Sequence, residues 1–155
     1  MQANQTRHQV ILGNLYYLFR KALEKENLGR VFIGPIQVQF DSENEAIPDL
    51  VFVTKASRHI VKEKRLNGAP DLVIEIISHD SVHRDTVHRK NMYKAFGVSE
   101  YWIVYPEERL VDVYYLESKI YRLKKTFRKR ETLVSANFEA IQFKLDDIYA
   151  FEPFR

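Results

Sequence analysis

The chain has 155 residues, 45% of them hydrophobic and 13% aromatic, enough apolar surface for one folded domain spanning 1–155 and too much for a disordered chain. There is no cysteine, which excludes thiolate metal sites and cysteine nucleophiles and fits a reducing, cytoplasmic setting; no apolar run approaches the roughly 20 residues of a membrane span, and MQANQTRHQV lacks the apolar core of a secretion signal. The formal charge is only +3, yet the 24 Lys and Arg cluster, with five between Lys55 and Arg65, four between Arg84 and Lys94 and seven between Lys119 and Arg130, a pattern that suits either a solvated face or a polyanionic partner.

In chain order, Val10, Ile11, Asn14, Leu15, Leu18, Phe19, Ala22 and Leu23 recur at helical spacing, and Gly29 stands beyond the expected helix end. Val31 to Phe40 reads as a strand, with alternation at Ile36, Val38 and Phe40. DSENEAIP is a turn, and Asp49 to Val53 is a second strand expected to pair with the first as a hairpin. A polar, basic connection from Thr54 to Ala69 leads into PDLVIEII, whose nearly continuous apolar run suits a central strand covered on both faces. Asp80 or Ser81 can cap a helix running to about Phe96, with Val82, Met92, Tyr93 and Phe96 on one face and Gly97 closing it. EYWIVYP is the next strand, and the order strand, long helix, strand implies a crossover to a parallel neighbour. Leu110 to Leu116 and Ile120 to Phe127 form a hairpin turned at Glu117 to Lys119, and Leu145 to Phe151 adds a final short turn of helix. The fold class is therefore α/β or α+β, a mixed central sheet flanked by helices. IPDLV at Ile47 and APDLV at Ala69 repeat, too briefly to indicate duplication.

Glu75 is out of place. Side chains alternate along a strand, so it shares one face of PDLVIEII with Val73 and Ile77 while Ile74 and Ile76 take the other. An ionised carboxylate among such neighbours costs several kcal/mol unless it meets a cation, a proton or a metal, and a salt bridge to Arg or Lys satisfies this as well as a functional site does. Asp49 follows Pro48 where a strand begins; it is either an ordinary strand-start Asp or the second carboxylate of a pair from neighbouring strands. Such a pair is what a hard cation such as Mg2+ takes, with water and substrate phosphate completing its shell. A nearby Lys would steady the developing charge on phosphorus, but the position two beyond the Glu is Ile77.

PDLVIEIIS, the segment holding Asp85, Arg89, Lys90 and Tyr93, and AFGVSEYWIV, with IPDLVFV in support, together resemble the Uma-two family of restriction-endonuclease-like proteins, a bacterial branch of the PD-(D/E)XK nuclease superfamily. The similarity runs from about His8 to the C-terminus. It implies a restriction-endonuclease-like core, Asp49 and Glu75 as ligands of Mg2+ or Mn2+, DNA as the partner, and a catalytic Lys moved from the strand to the following helix. The family places that Lys four residues after an Asp and four before a Tyr, which here is Arg89, with Lys90 one residue on and about 100° around the helix. Either Arg89 stands in as a fixed cation or Lys90 reaches the site. His8 matches a family His and is a helix-entry residue or an aid to substrate or metal. The hairpin with an acidic residue that family members usually carry ahead of this His is missing. The resemblance implies a metal-dependent DNA endonuclease, with a non-catalytic DNA-binding or oligomerisation module as the alternative. A homodimer would supply two sites for a duplex, and the hairpin around Tyr114, Tyr115 and Tyr121 is the expected interface.

Overall fold

A computed structural model of the chain describes residues 6–77 and 83–151. The chain opens with α1 (Thr6–Leu23), which buries Ile11, Leu12, Leu15 and Phe19 along one face and carries Arg20 and Lys21 in its last turn, where the helix dipole favours cations. Strand β1 (Gly29–Ile33) follows, then a small hairpin of β2 (Val38–Gln39) and β3 (Glu45–Ala46), then β4 (Leu50–Thr54), a 3-10 turn over Lys55–Ile60, β5 (Leu66–Asn67) and β6 (Leu72–Ile76). Helix α2 (His83–Ala95) leads to β7 (Glu100–Tyr105), the long hairpin β8 (Leu110–Glu117) and β9 (Ile120–Phe127), the short pair β10 (Thr132–Val134) and β11 (Gln142–Lys144), and α3 (Leu145–Ile148).

The main sheet has six strands in the order β1-β4-β6-β7-β8-β9. β6 is central, antiparallel to β4 and parallel to β7, as its continuous apolar run requires, and all five of its residues are buried. One face packs Leu50, Phe52, Leu72, Ile74 and Trp102 beneath α1, with the Phe19 and Trp102 rings 5.4 Å apart. The other carries Val51, Val53, Val73, Tyr101 and Ile103 beneath Tyr93 of α2 and beneath Val38 and Leu66 of the three-stranded sheet β3-β2-β5.

One sequence expectation changes. Val31 to Phe40 is two strands in two sheets, because the chain leaves β1 at Gly34 and Pro35 and re-enters as β2; β1 does pair with β4, but with the β2–β3 hairpin between them. In the aromatic hairpin, Tyr121 donates its hydroxyl to the Val98 carbonyl at 2.7 Å and the Lys90 ammonium sits 3.6 Å from the centre of the Tyr114 ring, while Ile120 and Leu123 are exposed. The hairpin turn is where sequence placed it, at Ser118 and Lys119, both at positive φ (50° and 63°), the conformation a two-residue turn between twisted strands demands. The expected caps Asp80 and Ser81 lie outside the described residues.

The IPDLV and APDLV repeat has a structural explanation. Asp49 Oδ2 accepts the Ile76 backbone N–H at 2.7 Å, and Asp71 Oδ2 accepts that of Thr54, also at 2.7 Å. In an antiparallel pair each strand starts where its partner ends, so each Pro-Asp entry holds the other strand's exit. The pattern reflects one two-way exchange.

Glu100, at the start of β7 and fully buried, explains part of the GVSEYW stretch. Its carboxylate accepts from Trp102 Nε1 at 2.8 Å, from the Ser135 hydroxyl at 2.8 and 2.9 Å, and from the backbone N–H groups of Ala136 at 2.7 Å and Asn137 at 3.2 Å. It clasps the loop before β11 onto the sheet. Glu100→Ala should destabilise the chain by about 3 kcal/mol, since buried donors lose their acceptor, and Glu100→Gln by less. Urea unfolding checks this, and a midpoint equal to wild type in Glu100→Ala would contradict the clasp.

Candidate active site

Extending the β4–β6 register one step beyond Leu50 and Ile74 brings Asp49 alongside Glu75 on the face that α2 covers. Glu75 is 3% exposed. Its Oε1 accepts the Tyr93 hydroxyl at 2.6 Å, and its Oε2 lies 3.2 Å from Arg89 Nη1. Asp49 has one oxygen fixed by the Ile76 N–H, and its Oδ1 lies 3.2 Å from His8 Nε2, in the first turn of α1. The two carboxylates are thus held alike: one oxygen tied by a short hydrogen bond, the other facing a cationic or protonatable side chain at 3.2 Å.

Burial, and then the charge of Asp49, raise the Glu75 carboxyl to about 7, against the opposing pull of Arg89, the Tyr93 hydroxyl and His8. Arg89 alone does not compensate the buried charge. Its guanidinium is half-exposed, at 50% against 4% for Glu75, so solvent weakens the pair. Glu75 in turn raises the affinity of Arg89 for its proton. Burial and then Glu75 push the Tyr93 hydroxyl upward, so it serves as a hydrogen-bond donor and not as a base. Tyr101, on β7, also lies fully buried near this charge, and its hydroxyl has no hydrogen-bond partner among the described residues; the Nδ1 of His8 is likewise unpartnered.

Of the residues singled out from sequence, the structure brings His8, Asp49, Glu75 and Arg89 together. Lys90 is elsewhere: the 100° step along α2 aims it at Tyr114, where burial lowers the pKa of its ammonium. Arg89 is therefore the cation at Glu75. Tyr93 and Tyr101 join the site, which sequence reasoning alone does not assign to them. A signal for Tyr93 exists, four residues after Arg89 on one helix face; that for Tyr101 needs the register that sets it beside Val73.

Residues 1–146 match the model of a family described as "Uma2: Putative restriction endonuclease". The chain belongs to the Uma2 family. Among curated proteins none matches the sequence. Among solved structures, a "putative nuclease belonging to DUF820" from Anabaena variabilis ATCC 29413 superposes with a TM-score of 0.77 at 17% identity, covering 96% of this chain and 83% of that one. At that identity the likeness establishes a shared fold, a mixed sheet flanked by helices.

Among the described residues there is no cluster of three or more His, Cys, Asp and Glu side chains arranged to hold a metal ion, so a dedicated protein cage is absent there. The donors nonetheless fit a hard divalent ion, which commonly takes one or two protein carboxylates and fills its shell with water and phosphate. Asp49 Oδ1 and Glu75 Oε2 are the oxygens whose contacts are long, and burial, then the charge of Asp49, holds the Glu75 carboxyl above its ordinary range.

Because folding holds Glu75 above its usual 4.5, the folded chain binds more protons than the unfolded one between about pH 4.5 and 7, and stability falls as pH rises through that window. Glu75→Gln removes this loss. Its urea midpoint should exceed that of wild type by more at pH 8 than at pH 5, and a gap unchanged between the two would contradict the burial argument.

Proposed function

We propose that this Uma2 chain is a divalent-metal-dependent endonuclease that hydrolyses phosphodiester bonds in DNA, with Asp49 and Glu75 as the ligands of Mg2+ or Mn2+. The observation that carries the reading is the matched pair of carboxylates, each with one oxygen immobilised and the other facing a cationic or protonatable group that can be displaced. Bound there, such an ion would supply Lewis acidity toward a phosphate oxygen and a more acidic water.

The protein's own residues do the remaining work. The Ile76 N–H fixes the plane of the Asp49 carboxylate, and the Tyr93 hydroxyl does the same for Glu75, so neither reorganises during reaction. Arg89 is long and half-exposed, and with a cation held at Glu75 its guanidinium would be free to donate to a phosphate oxygen in a planar fork. His8, opposite Asp49, is placed to hold or pass a proton on the solvent side of the site. Lys90 supports the α2–β8 packing through Tyr114 and has no part in the chemistry. The absence of cysteine suits a reducing cytoplasm, and a homodimer would supply two sites for a double-strand cut, which light scattering would report.

The Arg89–Glu75 pair favours a second reading, in which Arg89 is a permanent counter-ion and the fold serves as a DNA-binding or oligomerisation module. Calorimetric titration with Mg2+ and Mn2+, together with a nuclease assay, separates the two. For the enzyme, wild type binds metal, Asp49→Asn and Glu75→Gln lose it, and Asp71→Asn, which alters the structural counterpart of Asp49, keeps it. Arg89→Ala retains metal binding but cleaves about 100-fold more slowly, the usual cost of one donor to developing charge. Metal binding that is absent from wild type, or equal in wild type and Glu75→Gln, overturns the enzyme reading.

A further inference from the structure

A polar cleft of about 520 Å³ crosses the free edge of β1, and neither Asp49 nor Glu75 lines it. Tyr16 and Arg20 line it from α1, Arg30 and Phe32 from β1, and Gln37 and Lys64 from the loops that flank the small sheet. Its lining holds three cations and no carboxylate, and none of the three forms an ion pair within 4.0 Å among the described residues. The acid that approaches, Glu45, does so through Gln37, which donates to it at 2.7 Å. Three exposed like charges around one concavity repel one another, an arrangement that a bound polyanion relieves.

The cleft leads toward the site. Ile33 and Pro35 also line it; Ile33 pairs with Leu50, and the neighbouring Gly34 N–H donates to the Asp49 carbonyl at 2.7 Å, so the cleft reaches the end of β1 that abuts the backbone of Asp49. β1 is the last strand of the sheet, so its outward N–H groups have no strand partner and add donors to the cations. A docked peptide strand fits this edge poorly. An exposed Arg near the start of the strand and a proline without an N–H just past its exit discourage strand addition, whereas a phosphate backbone is attracted by the first and indifferent to the second. Lys64 comes from the basic stretch Lys55 to Arg65, to which the chemistry at Glu75 gives no role. The stretch Lys119 to Arg130 lies on and beyond β9, at the opposite edge of the sheet.

We propose that this cleft holds the phosphodiester backbone of a nucleic acid strand, with Arg20, Arg30 and Lys64 contacting phosphates and aligning the strand with Asp49 and Glu75. The assignment rests on the endonuclease reading for its purpose but not for its test. The test is anisotropy of a fluorescein-labelled DNA, single-stranded and duplex, titrated with full-length chain in EDTA so that binding is read without cleavage. Arg20→Glu, Arg30→Glu and Lys64→Glu combined should weaken binding at least about 100-fold and reduce the slope of log affinity against log salt by about 2 to 3, roughly one for each phosphate no longer neutralised. Lys119→Glu, Arg122→Glu and Lys129→Glu combined change net charge equally at the far edge and should weaken it less than about 10-fold. All six side chains are exposed, and far-UV dichroism checks that both variants fold.

Equal loss in the two variants, undiminished binding in the cleft variant, or no DNA binding by wild type each overturns the assignment. Metal titration keeps the two readings apart. A chain that binds DNA through the cleft yet takes no metal at Asp49 and Glu75 sinks the endonuclease and leaves the cleft standing. A chain that takes metal there and binds DNA regardless of the three cations sinks the cleft alone.

Discussion

Glu75 sits at 3% exposure in the central strand, answered by a half-exposed guanidinium and a tyrosine hydroxyl, and the rest of the site is arranged around that imbalance. A carboxylate in this position lowers the stability of the free chain near neutral pH, because its burial and the neighbouring charge of Asp49 outweigh what Arg89 returns. Packing does not require it: Ile74 and Ile76 on either side show what the strand takes when burial alone decides. A carboxylate kept at such a cost is the mark of a site that acquires positive charge from elsewhere.

The architecture supplies the geometry that the charge needs. The antiparallel pair β4–β6 binds each strand's entry to the other's exit through Asp49 and Asp71, and the two differ in what their second oxygen meets. That of Asp71 accepts the Ser57 hydroxyl at 3.1 Å and completes a local turn, whereas that of Asp49 faces His8 and the shared face with Glu75. One residue type in one local motif thus serves as scaffold at one end of the pair and as candidate ligand at the other. The parallel step from β6 to β7 through α2 brings Arg89 and Tyr93 over Glu75; both donate to its carboxylate, and Tyr93 is fully buried. The chain shares its family with proteins described as putative restriction endonucleases and its fold with a structure described as a putative nuclease.

Much of this is legible in the sequence because it is local. The alternation through PDLVIEII sets Glu75 against Val73, the helical pattern ends at Gly97, whose φ of 79° suits glycine, and the β8–β9 hairpin lies where turn residues interrupt two apolar runs. What escapes is non-local. β2, β3 and β5 have two residues each, too few for a periodic signal, and the β1–β2 break depends on where the second sheet forms. The Pro-Asp repeat looks accidental until the register shows the exchange. A salt bridge at Glu75 is open from sequence as the structural alternative, and Arg89 makes one; spacing cannot decide between Arg89 and Lys90, since only the orientation of α2 over the sheet sends one to Glu75 and the other to Tyr114.

The central claim is that Glu75 is a buried carboxylate short of positive charge, and its own titration tests that most directly. Carboxyl 13C chemical shifts of Glu75, followed against pH with and without Mg2+, should show a midpoint near 7 in the free chain that drops toward or below the ordinary carboxylate range when the ion is present. A Glu75 that titrates in the ordinary range without metal, and does not move when Mg2+ is added, would mean that Arg89 already satisfies it, and the account would fail.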